Sequence, residues 1–162
     1  TGLCVIGGDG NIVTKEHIGL RKEDTFFDKI SLAKNKLIDI IEENNIEQIW
    51  IEQSLQAFRP GLSSAKTLLT LAKFNGIISW ICFHELNVIP EYIAATSARK
   101  LCELKVPRGT KAKEVALQFF LDSGHKIEYT KHGNPKPGSY DRADSWVVAK
   151  AGYKLWKEGL RS

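Results

Sequence analysis

A mixed-sheet α/β domain is the fold class this sequence predicts, and three observations carry it. Two apolar runs flank a glycine-rich turn, a strongly periodic helical segment follows, and short strand-like runs then alternate with helical ones. Leu3–Ile6 and Asn11–Ile18 read as the arms of a hairpin, because Gly-Gly-Asp-Gly at 7–10 accepts the positive φ of a tight turn. A further short strand is expected near Ile18–Lys22. Phe26, Ile30, Ala33, Leu37 and Ile41 recur at steps of three and four, which predicts an amphipathic helix over 25–44 ended by Asn44 and Asn45. Ile46–Glu52 reads as a buried strand with a polar end, the place where sites lie in α/β sheets. Gly61–His84 reads as a long helix with Ser63 and Ser64 as cap candidates and a loosening at Gly76. Leu86–Pro90 is expected as a short buried strand. Thr96 caps a helix to Leu104, and Thr110 with Lys111 starts another to Ser123. After a Gly/Pro-rich loop at 133–139, Tyr140–Glu158 forms the last helix, with Trp146, Ala149, Tyr153 and Trp156 as its apolar face.

The 162 residues are 43% hydrophobic and 26% charged, enough to build one core and too balanced for a disordered chain. Residues 1–162 are therefore expected to form a single domain. The longest apolar stretch, Gly76–Phe83, falls short of the roughly 20 apolar residues of a spanning helix. There is no basic and apolar segment of signal-peptide type. Cys4, Cys82 and Cys102 include no Cys-x-x-Cys pair and sit among apolar neighbours, so they read as buried structural thiols in a reducing compartment, not as a zinc site. The expected location is cytoplasmic, or organellar or nucleoid-associated in a eukaryote. The chain has no Met, and Thr1 opens directly on an apolar run. Part of the first strand is therefore expected upstream of Thr1.

Charge is unevenly placed. Residues 99–136 hold nine Lys/Arg against four acids, while the remainder is close to neutral. A basic stretch in a near-neutral body fits a polyanionic partner such as nucleic acid, or a solvated lysine-rich surface.

Three acids stand out. Glu52 closes an apolar strand, so its carboxylate is expected at the sheet's carboxyl edge. Asp141 and Asp144 stand at i and i+3 in Asp-Arg-Ala-Asp, which puts both on one helix face. An Asp in the first helical turn also complements the helix dipole, which accounts for Asp141 without any site. It accounts less well for Asp144, beside Ala143 and Trp146, where the helix turns inward. Two acids on such a face repel each other and are desolvated unless a cation joins them. A divalent ion with oxygen ligands removes that conflict, and two such ions are a general device for in-line phosphodiester hydrolysis. Nothing supports a covalent nucleophile: no Ser or Cys has a partner His in an identifiable motif. His17, His84, His125 and His132 are scattered, the last two read as surface histidines.

At these residues the chain resembles a family. Ile51-Glu52-Gln53, followed by a variable stretch and a long helix (Ser64–Ala72, then Gly76), is similar to the second acidic motif of RuvC-type Holliday junction resolvases. Thr96-Ser-Ala-Arg-Lys100, a gap and Gly109-Thr-Lys-Ala-Lys-Glu-Val115 are similar to that family's basic helix pair. Tyr140-Asp-Arg-Ala-Asp-Ser-Trp-Val-Val-Ala149 is similar to its closing acidic helix. The three occur in the family's order and span most of the chain. One departure is large. The family's first catalytic Asp lies on the first strand shortly before a Thr-Gly pair, which here is Thr1-Gly2, and Asp9 sits in the turn at the far end of that strand. An Asp upstream of Thr1 is expected; without one the chain would be an inactive homologue.

The resemblance implies a ribonuclease H-like mixed sheet flanked by helices. It implies a structure-selective endonuclease that resolves four-way junctions in DNA recombination and repair. Glu52, Asp141 and Asp144 would bind two Mg²⁺ or Mn²⁺ ions. Lys113 matches a position that serves the scissile phosphate, and Lys100, Lys111 and Arg59 would contact DNA phosphates. Phe58, or less strongly Leu55, would wedge into the junction centre. A homodimer is implied, built on the 61–84 helix, where Leu68, Leu71, Ile78 and Ile81 exceed what one buried face needs. Two other readings stay open: a ribonuclease H-type nuclease acting on RNA–DNA hybrids, and a non-catalytic branched-DNA-binding protein.

Overall fold

Local chemistry sets where each element starts and stops. The computed structural model describes residues 1–21, 24–53 and 64–159. They form β1 (Gly2–Ile6), β2 (Ile12–His17), α1 (Phe26–Glu43), β3 (Trp50–Glu52), α2 (Ala65–Leu86), β4 (Glu91–Ile93), α3 (Ala95–Leu101), α4 (Ala112–Asp122) and α5 (Ser139–Gly159). The backbone divides into two compact units, Thr1–Gly19 with Ala95–Ser162, and Leu20–Ala94. The described strands pair as two two-stranded sheets, one in each unit. One pair is antiparallel and the other parallel; among the described residues neither small sheet is itself the mixed sheet expected.

In the first unit β1 and β2 form the expected hairpin, from Gly2 opposite His17 to Ile6 opposite Ile12, with a bulge between Val5 and Ile6. Gly10 takes φ +86° in the turn, and the Asp9 carboxylate accepts the Asn11 N–H at 3.0 Å. Helix α5 packs on the hairpin and on α3 and α4. Its buried stripe is Ala143, Trp146, Val147, Val148, Ala151 and Gly152. The sequence placed that stripe on Trp146, Ala149, Tyr153 and Trp156. The observed face is rotated because small residues let α5 approach its neighbours closely, while Tyr153 and Trp156 stay half-buried under the Lys157 ammonium. Against α5 stand Phe119 and Phe120, whose rings lie 4.9 and 5.4 Å from that of Trp146. The Cys102 thiol reaches the Val147 carbonyl.

In the second unit α1 begins in a capping box: the Thr25 hydroxyl accepts from Asp28 N–H while the Asp28 carboxylate accepts from Thr25 N–H. Ile30, Ala33 and Ile40 are its buried residues. Lys34 of α1 and Glu85 of α2 pair at 2.7 Å. Strands β3 and β4 run parallel, with Glu52 opposite Ile93.

Several boundaries differ from expectation. Helix α2 begins at Ala65, capped by the Ser64 hydroxyl, and runs unbroken through Gly76. It continues past His84 to Leu86, where Asn87 in a left-handed conformation closes it. That pushes the expected 86–90 strand to Glu91–Ile93, beyond Pro90, which has no N–H for a sheet. Strand β3 is confined to three residues, Trp50–Glu52. Helix α3 stops at Leu101 because Glu103 adopts φ +61°. Lys111, not Thr110, is the N-cap of α4. Between Ile18 and Arg21 no strand forms; Lys22 lies outside the described residues. Among the described residues no helix is long and apolar enough to cross a membrane.

Phe120 has no exposed surface. Phe120→Ala is expected to destabilise the fold by about 3–5 kcal/mol, from lost burial and the cavity left against Trp146. Urea unfolding of the two proteins measures this.

Candidate active site

The first turns of α5 carry two of the three acids singled out in the sequence. Gly138, at φ +91°, turns the chain into the helix, and Arg142 N–H donates to its carbonyl. Asp141 lies in the first turn and Asp144 one turn on, both half-buried. The helix seats tightly on β1 here. A Cβ on Gly2 would lie 2.0 Å from the Asp141 carbonyl oxygen, so this approach requires glycine. The Asp141 Oδ2 accepts from the Thr1 backbone nitrogen at 2.9 Å and lies 3.1 Å from His17 Nε2. His17 closes β2, and its ring lies against Gly138, where a Cβ would come within 2.5 Å of it.

Lys113 stands beside this helix start. It occupies the second position of α4, exposed, with its ammonium 5.0 Å above the ring of Tyr140, the residue before Asp141. The aromatic face attracts the cation and holds it near the acidic turn. Lys111 also lies at the start of α4 but is paired with Glu114 at 3.7 Å, and Lys100 is exposed in the last turn of α3.

Glu52 belongs to the second unit. It is the exposed last residue of β3, and its carbonyl accepts from the Asn75 side chain of α2 at 2.9 Å. The next residue, Gln53, donates its N–H to Ile93 at 2.9 Å. Glu52 thus stands at the carboxyl end of a parallel strand pair, as expected. Leu55, Phe58 and Arg59 lie outside the described residues.

The donors are carboxylate oxygens, which suit a hard divalent cation such as Mg²⁺ or Mn²⁺. Among the described residues no three His, Cys, Asp or Glu side chains gather closely enough to hold a metal.

The histidines divide. His132 is exposed as expected, whereas His125 is half-buried against Phe120 and Trp146, at 4.6 and 5.0 Å. Burial, and then Lys15 and Lys150, hold its pKa below the usual histidine value. Sequence reasoning missed His17 altogether. Its only signal was a place at the end of the second strand, and the shape of the loop before α5 decides what the ring touches.

The thiols are unsuited to nucleophilic work. Burial pushes Cys4 up to about 12, against the lowering effect of Lys15, and Cys82 up to about 11; Cys102 is raised by burial as well. At pH 8 the folded protein is expected to react slowly with an aromatic disulfide reagent, and all three cysteines rapidly once urea unfolds it. Immediate full labelling of the native protein would contradict the buried placement.

No protein-family model and no curated protein sequence matches the chain. Solved structures do, among them two of one protein. Thermus thermophilus RuvC in complex with Holliday junction substrate is 16% identical, with a TM-score of 0.67 over 96% of this chain and 87% of that one. Thermus thermophilus RuvC without that description aligns at 16% identity and a TM-score of 0.64, over 98% of this chain and 88% of that one. With so little identity over so much length, the shared property is the backbone: the chain has the fold of RuvC.

Proposed function

We propose that the chain is a divalent-metal-dependent endonuclease that resolves four-way DNA junctions. The observation that carries this is the acidic start of α5, Asp141 and Asp144 with Lys113 over Tyr140, within a fold shared with a RuvC described in complex with a Holliday junction. On this reading residues 1–162 make one ribonuclease H-like nuclease domain, its mixed sheet flanked by helices. The alignment supports that by spanning nearly the whole chain.

Glu52, Asp141 and Asp144 would hold Mg²⁺ or Mn²⁺, two ions per site. When bound, the ions supply an activated water and neutralise charge on the scissile phosphate. The chain's residues do the rest. The carboxylates give the site its negative charge and fix where hydrolysis occurs. Lys113, kept close by Tyr140, offers its ammonium to the phosphoryl oxygens as negative charge builds on them. Water breaks the P–O3′ bond and the 3′ oxygen leaves protonated, so no covalent enzyme intermediate forms.

Lys100, Lys111 and Arg59 contact phosphates, and Phe58 or Leu55 inserts at the junction centre. A junction offers two equivalent strands to cut, so a homodimer is the matching assembly. Of the four α2 residues expected there, Leu71 is exposed, Leu68 and Ile78 are half-buried and Ile81 is buried in the chain's own core; Leu69, Trp80 and Phe83 are exposed as well, which supports that helix as the dimer face. The place of action is the cytoplasm, or an organelle or nucleoid in a eukaryote.

The test presents the full-length protein with a four-way junction, a flap, linear duplex and RNA–DNA hybrid, with and without Mg²⁺. Paired symmetric nicks in the junction, dependent on Mg²⁺ and abolished in Asp144→Asn, are expected. Equal cutting of the hybrid would favour ribonuclease H activity, and junction binding without cutting would favour a non-catalytic protein. Lys113→Ala should lower the rate of cutting at saturating protein roughly 10²-fold while leaving junction affinity nearly intact. Lys100→Ala and Lys111→Ala should instead weaken binding, each lowering the slope of log K against log salt by about 1.

A further inference from the structure

Asp141 needs more than a place in the helix to serve as a ligand. Its side chain is 44% exposed, and a half-solvated Asp exchanges among staggered rotamers. One ring nitrogen comes within reach of it: His17 Nε2 lies 3.1 Å from Oδ2. We propose that His17 is a positioning residue for Asp141: it donates its Nε2–H to Oδ2 and holds the carboxylate in the rotamer that leaves Oδ1 for the cation. The inference rests on the reading of Asp141 as a cation ligand and goes beyond it by assigning a role to a residue outside the acidic set.

The geometry around His17 is built for this contact. The imidazole is only 21% exposed and comes from the last residue of β2, so the hairpin holds its backbone. Its ring packs on Gly138, the residue that turns the chain into α5, where any Cβ would collide with the ring carbon and Nδ1 at 2.5 and 2.6 Å. Gly138 also needs φ +91°, so two independent features favour glycine at the place where the ring must fit. On the other side Gly2 of β1 presses on the Asp141 carbonyl. One strand of the hairpin thus sets the Asp141 backbone and the other sets its side chain. Ligating carboxylates and imidazoles depend on such outer hydrogen bonds, whose loss lowers metal affinity roughly 10–100-fold. The donor must carry its proton on Nε2, since an unprotonated Nε2 would face Oδ2 as a second acceptor.

The experiment is Mn²⁺ binding to the full-length protein, read by the electron paramagnetic resonance signal of the free ion. His17→Ala should weaken binding roughly 10–100-fold, and His17→Gln, which keeps an amide donor on a side chain of similar reach, should restore most of it. Asp141→Asn separates this role from the reading beneath it. If Asp141→Asn loses Mn²⁺ while His17→Ala binds as the unaltered protein does, the positioning role is overturned and the ligand role stands. If neither Asp141→Asn nor Asp144→Asn changes binding, or the unaltered protein binds no Mn²⁺, both fall. A second measurement needs no variant: nitrogen NMR of the unaltered protein should find the neutral His17 proton on Nε2. A proton on Nδ1 alone would overturn the proposal even if His17→Ala failed to fold.

Discussion

The close seating of α5 on the hairpin is the constraint on which the first unit depends. At Gly2 the strand backbone and the Asp141 carbonyl approach to a distance that excludes even a methyl group. Further along, Ala143, Ala151 and Gly152 keep the helix surface shallow, and Trp146 fills the space towards Phe119 and Phe120. One helix therefore does two things with opposite solvent requirements. Its middle is the dry centre of the unit, and its first two turns hold acids that need water, donors or a cation. The boundary between these regimes falls within one turn, between Asp141 and Trp146.

That boundary explains how two acids are tolerated at the edge of a core. The helix N-terminus contributes favourable partial charge to Asp141. His17 Nε2 lies 3.1 Å from its Oδ2, and Lys113 is held over the neighbouring Tyr140. Each contribution is modest in water. Charge of both signs is thus gathered at one helix end.

Much of this was legible in the sequence, and the gaps have physical causes. The hairpin, five helices and the strand ending at Glu52 follow from apolar spacing and glycine placement, because those patterns report directly on local backbone geometry. The Asp141 and Asp144 pair was legible because spacing on a helix determines a shared face. The apolar stripe of α5 was misread because large residues attracted the assignment, while the surface in closest contact is made of alanine and glycine. The strand after α2 was placed too early because Asn87 can adopt a left-handed conformation that no hydropathy pattern reveals. His17 was invisible for a different reason: it acts on residues more than a hundred positions away, and neither its neighbours nor its spacing signals the contact.

The same distinction bears on what a RuvC-like backbone implies at 16% identity. A fold is carried by many interchangeable apolar contacts, so it survives extensive substitution. A site is carried by few atoms, and its identity must be argued from them. On the proposed reading those atoms are two aspartates at the start of α5, a lysine held by an aromatic ring, and a histidine packed on Gly138. The last is the most informative. A left-handed glycine with an imidazole packed where its side chain would be is a costly arrangement to keep for packing alone, since an alanine-compatible turn and a smaller residue on β2 would also close the unit. On the proposed reading the imidazole has a further task, and Asp141 Oδ2, 3.1 Å away, is the group it reaches.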